Sequence, residues 1–99
     1  MTKERRAIAL SDLNARLHKI RGALQLLGPR YAASARRADE AQLEVENVIR
    51  ALPGSTLQSV RSAIEQVSRL LPNDPSFQSA VNEAHMLLSG LLSEEMRST

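Results

Sequence analysis

A chain of 99 residues with a formal charge of +2 is expected to form one domain, because chains of this length bury too little surface for two cores. The absence of cysteine excludes disulfides, thiol catalysis and thiolate metal sites, and no apolar run approaches the roughly 20 residues that cross a bilayer. The first residues also lack the apolar stretch of a signal peptide, so we expect a cytoplasmic protein with no membrane partner. One Phe and one Tyr leave aliphatic side chains to form the interior, as is typical of helix bundles.

Two helices are predicted first, at residues 5–27 and 30–52. In the first, Leu and Ile recur at alternating steps of three and four, which places them along one face of an α-helix. The members of this stripe are Leu10, Leu13, Leu17, Ile20, Leu24 and Leu27. The second helix continues the rhythm, but its middle positions are small: Ser34, Ala38 and Ala41. Large side chains on one helix and small ones on the other can fill space together.

The Gly28-Pro29 pair between these helices leaves two architectures open. Within a helix, Pro costs about 3 kcal/mol and Gly about 1 kcal/mol relative to Ala, which favours a helix end and a turn. The apolar step that continues across the pair favours one kinked helix of nearly 50 residues, about 75 Å long. Such a rod would need a second chain to cover it, so we favour two helices that fold back on each other.

Two further helices are predicted at residues 55–71 and 76–95. A Pro-Gly pair ends the second helix, and Ser55 or Thr56 can cap the third. The fourth helix has the broadest apolar stripe, formed by Phe77, Ala80, Val81, Ala84, Leu87, Leu88, Leu91 and Leu92. The sequence therefore predicts an all-α fold: a small antiparallel bundle of about four helices, with the kinked rod as the alternative for the first two.

The charges of the chain are distributed unevenly. Residues 1–37 contain nine basic and two acidic side chains, a net charge of +7, whereas residues 38–99 contain four basic and nine acidic ones, a net charge of −5. This asymmetry indicates either a match between basic and acidic helices inside the bundle or a basic face offered to an anionic partner. We favour the internal match.

No motif for catalysis, metal binding or nucleotide binding is present. The two histidines, His18 and His85, have no second ligand at helical spacing. Glu40 and Glu44 share a helix face with Asn47, but the Glu-x-x-His pattern of di-metal bundles is missing, so we expect a solvated acidic face. The serines lack a Gly-x-Ser-x-Gly elbow, and the four glycines are too scattered for a phosphate loop. We expect no enzyme, cofactor, metal or small-molecule substrate.

The stripes instead favour a non-catalytic protein–protein interaction module, that is, an adaptor, regulator or inhibitor. They leave open equally that every stripe is internal core of the bundle. Such a module would bind a partner protein or self-associate as a homo-oligomer, with aliphatic side chains supplying buried area and basic ones supplying steering. The predicted partner-binding residues are Leu13, Leu17, Ile20, Leu24, Arg16, Lys19, Arg36 and Arg37. The broad stripe of the fourth helix is the other candidate face.

Nucleic acid is the alternative partner, through a basic face on the first two helices. The fourth helix is a poor recognition helix, because the residues it would place in the groove include no Arg or Lys. Two aromatic residues also provide too few stacking platforms for single strands. We therefore rank nucleic acid below a protein partner.

A short segment carries a resemblance to a known family. Leu52-Pro53-Gly54-Ser55, followed by Leu57, Ala63, Ser68 and Arg69, resembles the helix-opening segment of small phage-borne inhibitors of type I-F CRISPR surveillance complexes. The match covers less than a fifth of the chain. The resemblance implies a bacterial or phage inhibitor that docks on a host nucleoprotein complex. The inhibitor concerned is a mixed α/β protein, whereas the present sequence predicts no strand.

Overall fold

The computed structural model describes residues 3–97, and within this range it contains four α-helices and no strand. The helices are α1 (Lys3–Leu26), α2 (Ala32–Ile49), α3 (Leu57–Arg69) and α4 (Pro75–Arg97). A short 3₁₀ turn, Pro29–Tyr31, leads directly into α2. The predicted all-α bundle of four helices is confirmed.

The Gly28-Pro29 pair is a turn between two helices. After α1 ends at Leu26, the Gly28 N–H donates to the Gln25 carbonyl at 3.2 Å. Gly28 has a φ of 93°, a left-handed conformation that glycine adopts without a steric cost. Pro29 then opens the 3₁₀ turn, where its missing N–H is not needed. The alternative of one kinked rod is wrong, because this pair is well suited to a helix stop and poorly suited to a helix interior.

Contacts between α1 and α2 show that the two helices run antiparallel. Gln42 donates from Nε2 to Asn14 Oδ1 at 3.4 Å, and Arg21 donates from Nη1 to Asp39 Oδ1 at 2.6 Å. The residue number rises along α1 as it falls along α2. The helical spacing of apolar residues continues across the turn because both helices face the same core.

The remaining helices complete an up-down-up-down ring. Ser34 Oγ of α2 donates to the Leu70 carbonyl at the end of α3, and Ser59 Oγ of α3 donates to Glu44 Oε1 of α2, so these helices are also antiparallel. The fourth helix packs against both α1 and α3. Within residues 3–97, the diagonal pairs α1 and α3, and α2 and α4, make no close backbone approach. Each helix therefore has two neighbours and one shared core.

The core consists of the predicted aliphatic stripes, except for Leu27 at the end of the α1 stripe, which is 47% exposed. In α1, Leu10, Leu13, Leu17, Ile20 and Leu24 are at most 3% exposed. The facing positions of α2 include fully buried alanines, so large and small side chains interlock as expected. Burial of each such leucine contributes about 2 kcal/mol. The other core residues are Ala35, Ala38, Ala41, Val45, Val48, Leu57, Val60, Ile64, Val67, Phe77, Val81, Ala84, Leu88 and Leu91.

The second helix ends three residues earlier than predicted. Ala51 has a φ of 57°, and its N–H donates to the Val48 carbonyl while the N–H of Leu52 donates to the Asn47 carbonyl, both at 3.0 Å. These two hydrogen bonds form a Schellman motif, which usually has glycine at the left-handed position. Because alanine occupies it here, the sequence predicts that the helix continues to Leu52.

The starts of α3 and α4 are capped by side chains. Thr56 caps α3 through a reciprocal pair: Ser59 N–H donates to Thr56 Oγ1 at 3.2 Å, and Thr56 N–H donates to Ser59 Oγ at 2.9 Å. At α4, the N–H and hydroxyl of Ser76 donate to Asp74 Oδ1 at 2.9 and 2.8 Å. These two hydrogen bonds lower the pKa of Asp74 below its ordinary value of 3.8. Capping fixes where each helix begins.

Candidate functional site

The four aliphatic residues predicted to bind a partner lie in the core. Leu13, Leu17 and Leu24 have no exposed surface, and Ile20 is 3% exposed. They pack against other helices of the same chain because the turn at Gly28 folds α2 back onto them. A partner cannot contact Leu13, Leu17 or Leu24 while the bundle is folded, so these three are corrected to structural core, whereas Ile20 also lines a groove between α1 and α4.

The broad stripe of α4 is likewise internal. Phe77, Val81, Ala84, Leu88 and Leu91 are between 0 and 9% exposed. The large apolar side chains that remain exposed are distributed over α1, α2, α4 and the turns, and such isolated residues are normal on a monomer surface. They are Ile8, Leu26, Leu27, Leu43, Ile49, Leu52, Leu70, Met86 and Met96.

Part of the charge asymmetry is matched inside the bundle. Basic α1 lies between α2 and α4, each of which has more acidic than basic residues. Arg16 Nη1 of α1 lies 2.7 Å from Glu83 Oε2 of α4, and Arg21 Nη1 lies 2.6 Å from Asp39 Oδ1 of α2. The favoured prediction of an internal match is confirmed for these two pairs. Being partly exposed, each contributes at most about 1 kcal/mol.

The other predicted basic residues differ in whether their charge is matched. Arg37 lies 3.1 Å from Glu40, one turn further along α2. Lys19 and Arg36 are exposed, and neither has an ion pair within residues 3–97. Of the four predicted steering residues, these two therefore have a positive charge available to a partner.

A solvent-open groove lies on the seam between α1 and α4, and we call it the Phe77 groove. Its lining residues are Lys19, Ile20, Ala23, Ser76, Phe77 and Ala80. Ala23 and Ala80 contribute small side chains to the lining, and Phe77 is 9% exposed. Lys19 is the only charged residue in this lining. The structure thus places one of the predicted steering residues beside recessed apolar surface.

The Phe77 groove continues into a more polar depression towards the start of α1. The two share Lys19 and Ala80, and the second is also lined by Asp12, Ala15, Arg16 and Glu83. Arg16 lies 3.4 Å from Asp12 and 2.7 Å from Glu83, so its pair with Glu83 crosses the seam. An elongated ligand on this seam would meet an apolar end at Phe77 and a polar end at Asp12.

A second groove lies on the other side of α1, between α1 and α2. Its lining includes Arg21, Gln25, Arg36 and Asp39 together with two alanines. The Arg21 guanidinium is occupied there by Asp39 and by His18, whose Nδ1 lies 2.9 Å from Nη2 and must accept, since a guanidinium only donates. An anion in this groove would face the Asp39 carboxylate, so the groove is a weaker candidate than the Phe77 groove.

Sequence reasoning named Ile20 and Lys19 of this lining as partner-binding residues but did not name Ala23 or Ser76. Phe77 and Ala80 were predicted as members of an apolar stripe. The two alanines lie at the flank of their stripes, a pattern that indicates a helix neighbour close by. Only the pairing of α1 with α4 turns that pattern into a groove, and this pairing is a tertiary feature.

Neither a metal-binding cluster nor a membrane-spanning helix is present in residues 3–97. Over residues 3–97, no three His, Asp or Glu side chains lie close enough together to hold a metal ion. No helix in that part of the chain is long and apolar enough to cross a membrane.

Comparison with known proteins gives no match: no family model, no curated protein and no solved structure is significantly similar to the chain. The resemblance of the Leu52–Ser55 segment to a family of phage inhibitors is therefore a local one. In the structure, this segment is the turn between α2 and α3. A proposal for the function therefore rests on the geometry of the bundle.

Proposed function

We propose that the chain is a non-catalytic helical interaction module that binds a partner protein in the Phe77 groove. The observation that supports this most directly is the position of Lys19, an exposed cation that has no ion pair with any residue in the range 3–97, beside recessed apolar surface. Its neighbours Arg16 and Arg21 already have acidic partners within the bundle. A partner could therefore gain both apolar contact and a charge interaction at one place.

The two components would have different roles in binding. Apolar side chains that enter the groove would exclude water from Phe77, Ala23 and Ala80, and apolar burial of this kind supplies most of the affinity at interface centres. Lys19 at the edge would increase the association rate and fix the register of the partner. This division of roles is the one predicted from the sequence, moved from the α1 stripe to the seam between α1 and α4.

The size of the groove favours a transient complex. From Asp12 to Ala23, the α1 side of the seam extends about 16 Å, since a helix rises about 1.5 Å per residue. A contact of that length buries less area than obligate interfaces, which exceed about 2,000 Å². We therefore propose an adaptor, regulator or inhibitor that binds reversibly.

Site-specific photo-cross-linking in the native host tests this proposal. The cross-linking amino acid replaces Ser76 in the groove or, as a matched control, exposed Gln66 on the outer side of α3. We expect one discrete protein adduct from position 76 and none from position 66. Lys19→Glu should reduce the adduct, whereas reversal of another exposed cation, Arg69→Glu, should not. Equal adducts from both positions, or no effect of Lys19→Glu, would contradict groove binding.

The alternative of a nucleic-acid partner predicts a different effect of charge reversal. Arg36 lines the groove between α1 and α2, whereas Lys19 lines the seam between α1 and α4, so nucleic acid bound over α1 and α2 would depend on Arg36 and the protein-docking proposal depends on Lys19. Duplex DNA or RNA that binds at low salt, weakens steeply as salt rises and is lost in Arg36→Glu but not in Lys19→Glu would replace the present proposal.

A further inference from the structure

We infer that the Phe77 groove receives a short amphipathic helix that places a carboxylate beside Lys19 and an apolar side chain over Phe77; this inference rests on the proposed function. An occupant of this seam has to be elongated, because two antiparallel helices form the walls and the two depressions follow each other along them. A helix suits that shape, since its residues four apart project from one face about 6 Å from each other.

The charges along the seam determine what kind of helix fits. The Phe77 groove has Lys19 as its only charged lining residue, so its local charge is +1. The adjoining depression shares Lys19 with the groove, and its other charged lining residues, Arg16 with the carboxylates of Asp12 and Glu83, carry a net charge of −1. The seam is neutral in total but is polarised along its length. A complementary helix is therefore acidic near Lys19 and basic towards Asp12.

This polarity also separates a protein helix from a nucleic acid. A phosphate backbone carries negative charge along its whole length, so a strand that meets Lys19 would continue against Asp12 and Glu83. A protein helix can change the sign of its charge within two turns. Lys19 and Asp12 are seven residues apart on α1, about 10 Å, and a partner helix can match that spacing with a carboxylate and a cation seven residues apart.

A pair of synthetic helical peptides tests the inference on the full chain. The first peptide has Leu and Glu four residues apart, with Lys seven residues from the Glu; the second has the Glu and Lys exchanged. Each is titrated into isotope-labelled protein, and the backbone amide signals are followed by NMR. We expect the first peptide to shift signals of Lys19, Ala23, Ser76, Phe77 and Ala80, and to bind about tenfold more tightly than the second.

Charge reversal in the protein provides the specific control. Lys19→Glu makes both ends of the seam negative and should abolish the difference in affinity between the two peptides, while Arg69→Glu, at an exposed site on α3, should leave that difference unchanged. Circular dichroism of each variant confirms that the bundle is folded, and both substitutions are at exposed positions.

The outcomes of the titrations distinguish failure of the acidic-helix inference from failure of groove docking. Tighter binding of the exchanged peptide, in the same groove, overturns the acidic partner and leaves groove docking intact. No shift with either peptide overturns the amphipathic helix as occupant, and the adduct at position 76 then decides whether groove docking survives. Shifts centred on Arg36 with a DNA duplex, and none in the groove with either peptide, overturn the inference in favour of nucleic acid.

Discussion

Replacing Ala51 by glycine is expected to stabilise the bundle. Ala51 follows the C-cap of α2 and has a left-handed φ of 57°. The conformation is fixed by the two hydrogen bonds that close the helix, from Ala51 to Val48 and from Leu52 to Asn47. A residue with a Cβ is strained there, because in the left-handed conformation Cβ lies too close to the following carbonyl oxygen.

The expected gain follows from two opposing terms. The left-handed conformation costs an L-residue about 1–2 kcal/mol, and glycine avoids this cost. Glycine loses about 0.5–1 kcal/mol more conformational entropy than alanine on folding. Ala51 is exposed, so removal of its methyl group leaves no cavity. The net gain is about 0.5–1 kcal/mol, which corresponds to a rise in Tm of about 2–5 °C for a chain of this length.

Urea unfolding followed by circular dichroism measures the effect. Ala15→Gly is the matched control, because Ala15 is exposed and lies within α1, where glycine lowers stability by about 1 kcal/mol. The two substitutions should therefore have opposite signs. A loss of stability in Ala51→Gly comparable with that of the control would refute the left-handed turn at the end of α2.

Three further predictions concern the core and the caps. Leu17→Ala removes a side chain with no exposed surface and should lower the free energy of unfolding, measured in urea, by about 3 kcal/mol. Leu26 is 89% exposed, so Leu26→Ala should change this free energy by less than about 0.5 kcal/mol. A larger loss in Leu26→Ala than in Leu17→Ala would show that the α1 leucine stripe is not in the core. Gln42→Met should raise the unfolding free energy by about 1 kcal/mol, because Gln42 is 8% exposed, its Oε1 has no partner within residues 3–97, and the hydrogen bond lost from its Nε2 to Asn14 is long, at 3.4 Å; a clear loss of stability would show that the amide is fully bonded. Because hydrogen bonds from Ser76 lower the pKa of Asp74, its ionised form stabilises the folded state above the unfolded pKa of 3.8, and this contribution is lost as the pH falls through the lower folded pKa. Asp74→Ala should therefore reduce Tm more at about pH 7 than at about pH 2, and a difference that does not vary with pH would contradict this.

The helices could be predicted from the sequence because their signals are local. The stripe from Leu10 to Leu24 repeats at the helical period, and the ends of α1 and α4 fall within two residues of prediction. The predicted end of α2 and the predicted start of α3 differ from the structure by three and two residues. The end of α2 was missed because Ala51 adopts a left-handed conformation that is not expected of alanine.

The interaction surface could not be predicted to the same extent, because it depends on which helices become neighbours. A stripe of leucines has the same pattern whether it meets the rest of its own chain or another protein. The turn at Gly28 decides between these outcomes. Likewise, Arg16 and Glu83 are 67 residues apart, and only the bundle brings them to 2.7 Å. Lys19 was identified from charge alone, but its apolar surroundings come from α4.

The distance between α1 and α2 in solution tests the central claim, that the α1 stripe is covered by the same chain. The protein contains no cysteine, so spin labels can be attached at exposed positions by Ser11→Cys and Leu43→Cys. In the bundle, their backbones should lie within about 20 Å, since packed helix axes are about 8–10 Å apart. A continuous helix would separate them by about 48 Å. The account predicts a short distance that persists when the doubly labelled protein is diluted into excess unlabelled protein. A distance near 48 Å, or a short distance that disappears on dilution, would contradict it.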